Sequence, residues 1–387
     1  MVSHRSIAEL RTAPPLWALH ILFLMTGTGT TMLGPLLPLL SRTWHLHDAD
    51  AGVLLAAQFF GAFLGGVTVG HNARRVLLRA AAASACGLTA FAWATTRGDG
   101  MPVALGALLL AGYGIGHMVA ATNIIGGQLP ADRRGRNLTL LNFSWSIGAI
   151  LSPVLAAWLL PSIPLAWLLG TLAFLFASAG VSVFIHIDHP EDAAAQSAGA
   201  GSARSVVIFF GVMLLLYGGV ETCMNGWLTT YILRYGDHTL RGSQLSTSLF
   251  WIALISGRAL TAAALSVISE RRLLHLGLGA TTICIACLLH AEGTLALTVC
   301  AVLLGLSMAP FFPICFSILM GHSPRAQQAG LVIAVSGIGA AFFPWLAGRI
   351  STHTGSLHIG LIVPLLAAAV LLIMSFVLPR HHAAPAA

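Results

Sequence analysis

The chain has 387 residues, of which 57% are hydrophobic and 8% charged, with a mean hydropathy of +0.87. A soluble domain carries about a quarter of its residues as charges, so this composition excludes a water-soluble globular protein and calls for lipid as the solvent of most of the surface. The cations behind the net charge of +7 are all arginine, set in short clusters between apolar runs, which excludes a basic nucleic-acid groove and leaves membrane orientation as their use.

A spanning helix needs about 20 apolar residues. Breaks at Arg, Asp, Gly and Pro predict spans near 16–40, 50–70, 76–96, 102–128, 138–160 and 163–186. Residues 187–204 follow, with Asp188, Glu191 and Asp192 ahead of an Ala/Gly/Ser-rich stretch, and read as a flexible linker. The second set of spans lies near 206–233, 244–268, 273–291, 294–320, 327–350 and 357–378. The expected fold class is an all-α membrane protein of twelve transmembrane helices, with bundles over 1–186 and 205–387 joined by the 187–204 linker. Arg5 and Arg11 precede a first span of full length with no A-x-A cleavage pattern, so that span is expected to stay in the mature chain.

Arginine placement sets the expected topology. With the N-terminus inside, thirteen arginines fall on the cytoplasmic side and five (Arg42, Arg97, Arg234, Arg241 and Arg349) outside, leaving Arg258 within a span. Both termini and the linker are therefore expected in the cytoplasm, with the chain multi-pass in the inner membrane. The six cysteines fall inside spans, and Cys284-x-x-Cys287 with His290 sits on an apolar helix, so neither a disulfide framework nor a metal or redox site is expected.

An internal repeat organises the two halves. Gly148 and Pro153 recur as Gly339 and Pro344, 191 residues later. Thr30, Met32, Gly34 and Gly65 recur as Thr222, Met224, Gly226 and Gly257 at an offset of 192. The turn Arg74-Arg75-Val76-Leu77-Leu78 is echoed by Arg271-Arg272-Leu273-Leu274. Six spans per half keep both halves in one orientation, a parallel repeat about an axis along the membrane normal.

The 6+6 layout, cytoplasmic linker and basic turns after spans 2 and 8 resemble the major facilitator superfamily of transporters over nearly the whole chain. The family's signature after span 2 is a Gly, then an Asp, then basic residues. Gly66-Val67-Thr68-Val69-Gly70-His71-Asn72-Ala73-Arg74-Arg75 lacks the Asp, so the latch usually assigned to that motif does not carry over. Pro130-Ala131-Asp132-Arg133-Arg134-Gly135-Arg136, followed by Asn142, Gly148 and Pro153, is similar to the sugar-transporting branch that includes the fucose permease. Gly218-Gly219-Val220-Glu221, followed by Trp227 and Tyr231, is similar to the same branch. The resemblance implies the major facilitator fold of two pseudo-symmetric bundles and a secondary carrier.

Glu221 is singled out by elimination, because the other acidic residues lie at span ends or in loops. It is about 22 Å deep at 1.5 Å per residue, where a carboxylate costs several kcal/mol unless paired, protonated or hydrated. Two readings follow: a cavity-facing group that binds solute or carries a coupling proton, or an architectural partner of Arg258. Asn225 lies one turn beyond it, and Trp227 reaches the same cavity only if the helix bends at Gly226. Gln244, Trp251 and Arg258 recur every seven residues and form one stripe that is not expected to face lipid. In the first half, Gln58, Asn123, Asn142 and Trp145 are the polar or aromatic candidates, with helix-to-helix hydrogen bonding as the alternative for each amide. His20 and His117 are further protonation candidates or packing residues.

A carboxylate, an amide and an indole suit a sugar, which offers hydroxyls and an apolar C–H face. The expected function is a secondary carrier for a sugar or polyol, working by alternating access as a symporter with a proton or sodium ion. The alternatives are an exporter of drugs or amphipathic metabolites and a non-transporting sensor on the same scaffold. No converging nucleophile, acid/base pair or metal set is evident, so no enzyme, cofactor or metal is expected. The expected partners are the small-molecule solute and the lipid bilayer, with the chain a monomer.

Overall fold

The computed structural model describes residues 16–69, 73–128, 131–186, 201–236 and 239–379. The expectations for Arg5, Arg11, residues 70–72, Pro130, the 187–200 part of the linker and Arg380 lie outside the described residues.

Fifteen helices among the described residues combine into twelve spans. Span 1 is Leu16–Thr31 followed by Leu33–Thr43, span 2 Asp48–Val67, span 3 Ala73–Ala94, span 4 Met101–Gln128, span 5 Ala131–Leu159 and span 6 Leu165–His186. Span 7 is Arg204–Tyr235, span 8 Leu240–Ala264, span 9 Glu270–His290 and span 10 Thr294–Met308 with Phe311–Gly321. Span 11 is Ala326–Thr354, and span 12 is Leu357–Gly360 with Ile362–Phe376. Each lies within several residues of its expected place. Spans 5 and 8 start earlier than expected, at Ala131 and Leu240, because an end in the polar interface need not be apolar to stay helical.

Span 1 bends by 42° at Met32. Pro35 has no N–H, and its ring crowds the carbonyl of Thr31, which breaks the helix at this level. The carbonyls of Gly29 and Thr30, just ahead of the break, accept the Gln58 amide at 3.2 and 2.9 Å. Span 10 breaks at Ala309–Pro310, and there the carbonyl of Met308 accepts the Tyr217 hydroxyl at 3.3 Å. Span 8 starts under a Thr239 cap that accepts the Gly242 N–H at 3.2 Å, and span 11 ends on Gly355 in the left-handed region.

The two halves pack alike. In the first, span 1 lies on span 5, span 2 on 4, span 3 on 4 and span 3 on 6; in the second, 7 lies on 11, 8 on 10, 9 on 10 and 9 on 12. The correspondence extends to single contacts. A Cβ on Gly148 would collide with the Leu24 carbonyl, and one on Gly339 with the Leu215 carbonyl, so both members of each pair are displaced by 191 residues. Gly112 meets Gln58 and Ala62 of span 2, while Gly305 meets Phe250 and Leu254 of span 8. The fold is thus two pseudo-symmetric six-helix bundles, each fastened by glycines that bring helix backbones together.

The bundles meet through spans 2 and 11, 5 and 8, and 1 and 7. At the far end, opposite the start of span 1 and the end of span 12, Arg234 of span 7 holds Asp48 of span 2 through both terminal nitrogens, at 2.7 and 2.9 Å. Asp48 also accepts the Ser351 hydroxyl, and the Ala49 N–H donates to Thr352 Oγ1 at 2.8 Å. Asp48 opens span 2 and Arg234 lies in the last turn of span 7, so both charges also complement their helix dipoles.

Candidate functional site

Span 7 runs unbroken from Arg204 to Tyr235 and carries Glu221 near its middle. Arg258 of span 8 brings Nη2 to 3.8 Å from Glu221 Oε1. That is an ion-pair separation, longer than an N–H···O hydrogen bond. The side chains keep 31% (Arg258) and 23% (Glu221) of their exposure, so the pair borders open space rather than a sealed core.

The two helices that carry the pair also hold polar atoms that the protein leaves unsatisfied. Among the described residues, Asn225 Oδ1, Trp251 Nε1 and Arg258 Nε are buried and have no hydrogen-bond partner. An unpaired buried polar atom costs about 1–3 kcal/mol, so three on two adjacent helices stand out in a fold that pairs nearly all such groups. Trp251 also meets Trp145 of span 5 edge to face, with centroids 5.9 Å apart and planes at 73°. Two indoles from opposite bundles therefore meet about two turns along span 8 from Arg258.

Span 8 places its stripe as expected, away from lipid: Gln244 and Trp251 are buried, and the Gln244 amide crosses to the Pro35 carbonyl at 2.9 Å. Asn225 sits one turn beyond Glu221, its carbonyl packed against Gly34 of span 1.

Other candidates are not brought to the pair. The helix is unbroken at Gly226, where a Cβ would meet the Leu55 side chain of span 2. Trp227 is consequently fully buried, with its indole N–H on the Pro344 carbonyl at 3.0 Å, and it fastens span 7 to span 11. Gln58 is taken up by the span 1 break. Asn123 and Asn142 are exposed and donate to their own helices, at Val119 O (2.9 Å) and Leu138 O (2.8 Å). Asn142 nevertheless lies one turn from Trp145 on the same helix, whereas nothing links Asn123 to the pair. His20 meets Ser144 Oγ at 2.7 Å, and His117 meets the Tyr113 carbonyl at 3.2 Å and Thr68 at 3.5 Å, which are packing contacts.

Sequence reasoning missed Tyr217, one turn before Glu221, which stacks on Phe311 at 4.2 Å with planes at 10°. It also missed the Asp48–Arg234 lock, since both residues read as span-end charges. No local pattern joins two residues 186 positions apart.

The sequence profile of the family described as Major Facilitator Superfamily matches residues 19–329. A gallate transporter of Pseudomonas putida is 30% identical over 148 residues, covering 36% of this chain and 32% of that protein. A niacin transporter of Acinetobacter baylyi is 24% identical over 174 residues, 42% of this chain and 38% of that protein. The chain thus matches about a third of the length of these curated relatives. Among solved structures, the xylose transporter of E. coli in a partially occluded inward-open conformation aligns with a TM-score of 0.76 at 14% identity, covering 96% of this chain and 98% of that one. The E. coli fucose:proton symporter aligns with a TM-score of 0.61 at 16% identity, covering 95% and 99%.

Proposed function

Since the chain belongs to the major facilitator superfamily, whose members are multi-pass membrane transporters, we propose that it is a secondary carrier that moves a small polar organic solute by alternating access. The carrying observation is the set of unpartnered buried atoms on Asn225, Trp251 and Arg258, on the two helices that bear the partly exposed Glu221–Arg258 pair. Such atoms suit a solute with several hydrogen-bonding groups, and the Trp145–Trp251 wall suits one with a flat or apolar face. An ion pair presents no net charge, which favours a neutral sugar or polyol. A second reading, a small aromatic acid, is favoured by Arg258, whose fork matches a carboxylate, and by the gallate and niacin transporters among the relatives.

The solute site is assigned to Glu221, Asn225, Trp251, Arg258 and Trp145, with Asn142 at its edge. The bundles are taken as 1–186 and 205–387, joined by the 187–204 linker. Arginine placement supports an inner membrane with both termini in the cytoplasm. In that orientation the Asp48–Arg234 lock closes the outer end. Coupling to a proton or sodium gradient, action as a monomer and absence of catalysis belong to the same proposal.

The test is a proteoliposome flux panel of xylose, fucose, a linear polyol, gallate and nicotinate, with and without imposed proton and sodium gradients. Counterflow of one class at saturating kinetics identifies the solute, and flux of none of the five defeats both readings. Binding without flux would establish the sensor alternative, and preference for amphipathic cations the exporter. Glu221→Gln separates the roles of the carboxylate. If Glu221 carries the coupling proton, the variant loses concentrative uptake and keeps exchange. If it only binds solute, affinity falls in both assays by about 1.5–3 kcal/mol. A variant unchanged in both leaves Glu221 as the architectural partner of Arg258.

A further inference from the structure

At the far end, the second bundle holds a cavity of about 700 Å³, within the size range of small-molecule sites. It is lined by Arg234, Tyr235, His290, Glu292, Gly293 and His358, together with the start of the connection after span 9. Its wall is aromatic and well held. His358 Nδ1 meets the Tyr231 hydroxyl at 2.9 Å, and the His358 N–H donates to the Tyr235 hydroxyl at 3.3 Å. The Tyr235 and His358 rings lie 5.5 Å apart at 75°, and the His290 and His358 rings 6.5 Å apart at 71°.

One cation belongs both to this cavity and to the contact between bundles. The Arg234 guanidinium lines the cavity while it holds Asp48 of the first bundle through both terminal nitrogens. Its side chain is 41% exposed, against 13% for Asp48, so the arginine is reachable from the far side while its partner is largely covered. The group it now holds is a carboxylate in a two-point grip, the geometry in which a guanidinium prefers such a group.

We propose that this cavity binds a small organic carboxylate with a flat body, and that the bound carboxylate competes with Asp48 for Arg234 and loosens the joint between the bundles. The exchange is like for like: one carboxylate replaces another on the same fork, while the Tyr235, His290 and His358 rings cover the organic body. Glu292, exposed at the rim, opposes an anion and limits the affinity. The site is separate from the Glu221–Arg258 region and does not depend on which solute that region takes.

Benzoate is the probe, titrated calorimetrically into the purified full chain in nanodiscs. Saturable binding is expected in the wild type, weakened more than ~10-fold in Arg234→Gln and several-fold in His290→Ala. Asp48→Asn removes the competitor and is expected to tighten binding ~10-fold, the equivalent of one charge-assisted hydrogen bond. Glu292→Gln is expected to tighten it less. If Arg234→Gln fails to fold, Asp48→Asn and Glu292→Gln decide the matter, since both are near-isosteric. The proposal is overturned if neither the wild type nor Asp48→Asn binds benzoate saturably. It is equally overturned if Asp48→Asn leaves the affinity unchanged, or if all saturable binding disappears in Arg258→Gln, which would place benzoate at the central region.

Discussion

The seam between spans 2 and 11 and the seam between spans 5 and 8 are related by the internal repeat, yet they are built differently. In the first, backbones approach closely: Gly52 faces the Pro344 carbonyl and Trp345, and Gly348 faces the Asp48 carbonyl and the Trp227 ring. Hydrogen bonds from Ser351 to Asp48 and from Ala49 to Thr352 then tie it. In the second, large rings meet. Trp145 abuts Trp251 at 5.9 Å, and the Arg241 guanidinium lies 3.5 Å over the Trp158 ring. At an offset of 192, the counterpart of Asp48 is Leu240 and that of Gly52 is Gln244, so the second seam lacks both the acid and the small residue. Pseudo-symmetry of backbones therefore does not impose symmetry of roles. Small residues make one seam a tight, polar joint, while tryptophans join the other through side chains.

The largest effect is expected from breaking the tight seam sterically. Gly348→Val places atoms against the Asp48 carbonyl and Trp227 and is expected to cost at least about 1–3 kcal/mol of closure. The matched change in the other seam, Ala157→Val, is expected to cost less. Thermal unfolding in detergent, with distances between spin labels on the 44–47 and 355–356 connections, reads both. Equal broadening in the two variants would erase the distinction.

Removing charge from the same joint comes next. Asp48→Asn keeps the shape but loses two charge-assisted hydrogen bonds at a partly exposed site, so about 1–2 kcal/mol of bias toward the closed far end is expected to disappear. That corresponds to a roughly 5–30-fold shift in population. A second, longer spin-label distance should become visible; a distribution like that of the wild type would show that the lock is idle.

A smaller change sharpens the other side of the comparison. Trp251→Phe keeps a ring against Trp145 and deletes the unpartnered Nε1, so solute affinity should fall by about 0.5–1.5 kcal/mol with closure unchanged. Loss of closure without loss of affinity would assign Trp251 to the joint instead. Arg241→Gln, which removes the cation from the Trp158 face, is expected to have the smallest effect, about 0.5–1 kcal/mol on unfolding at this exposed end.

Much of the fold was legible because its signals are local or periodic. Apolar runs located twelve spans, and the recurrence of Gly148–Pro153 as Gly339–Pro344 announced two halves whose glycines prove to make matching contacts. Glu221 and Arg258 were legible as a pair because charges inside apolar helices are costly and few, and the seven-residue stripe correctly turned Gln244 and Trp251 inward. The packing of Trp227 was not legible: its indole N–H rests on the Pro344 carbonyl of span 11, and the space at Gly226 just ahead of it is taken by Leu55 from another helix, which no local pattern reveals.

By itself, the sequence determined what the solvent and the repeat dictate: a bilayer protein, the number and length of its spans, and two halves of common pairing. Hydropathy and glycine spacing act within or between neighbouring helices, so a single chain displays them directly. Only the tertiary structure decided which seam closes, which indole N–H finds a partner and which does not, and where the guanidinium of Arg234 rests. Those outcomes depend on the side chain that a distant helix delivers to within a few ångströms, and helix order in sequence does not encode that distance.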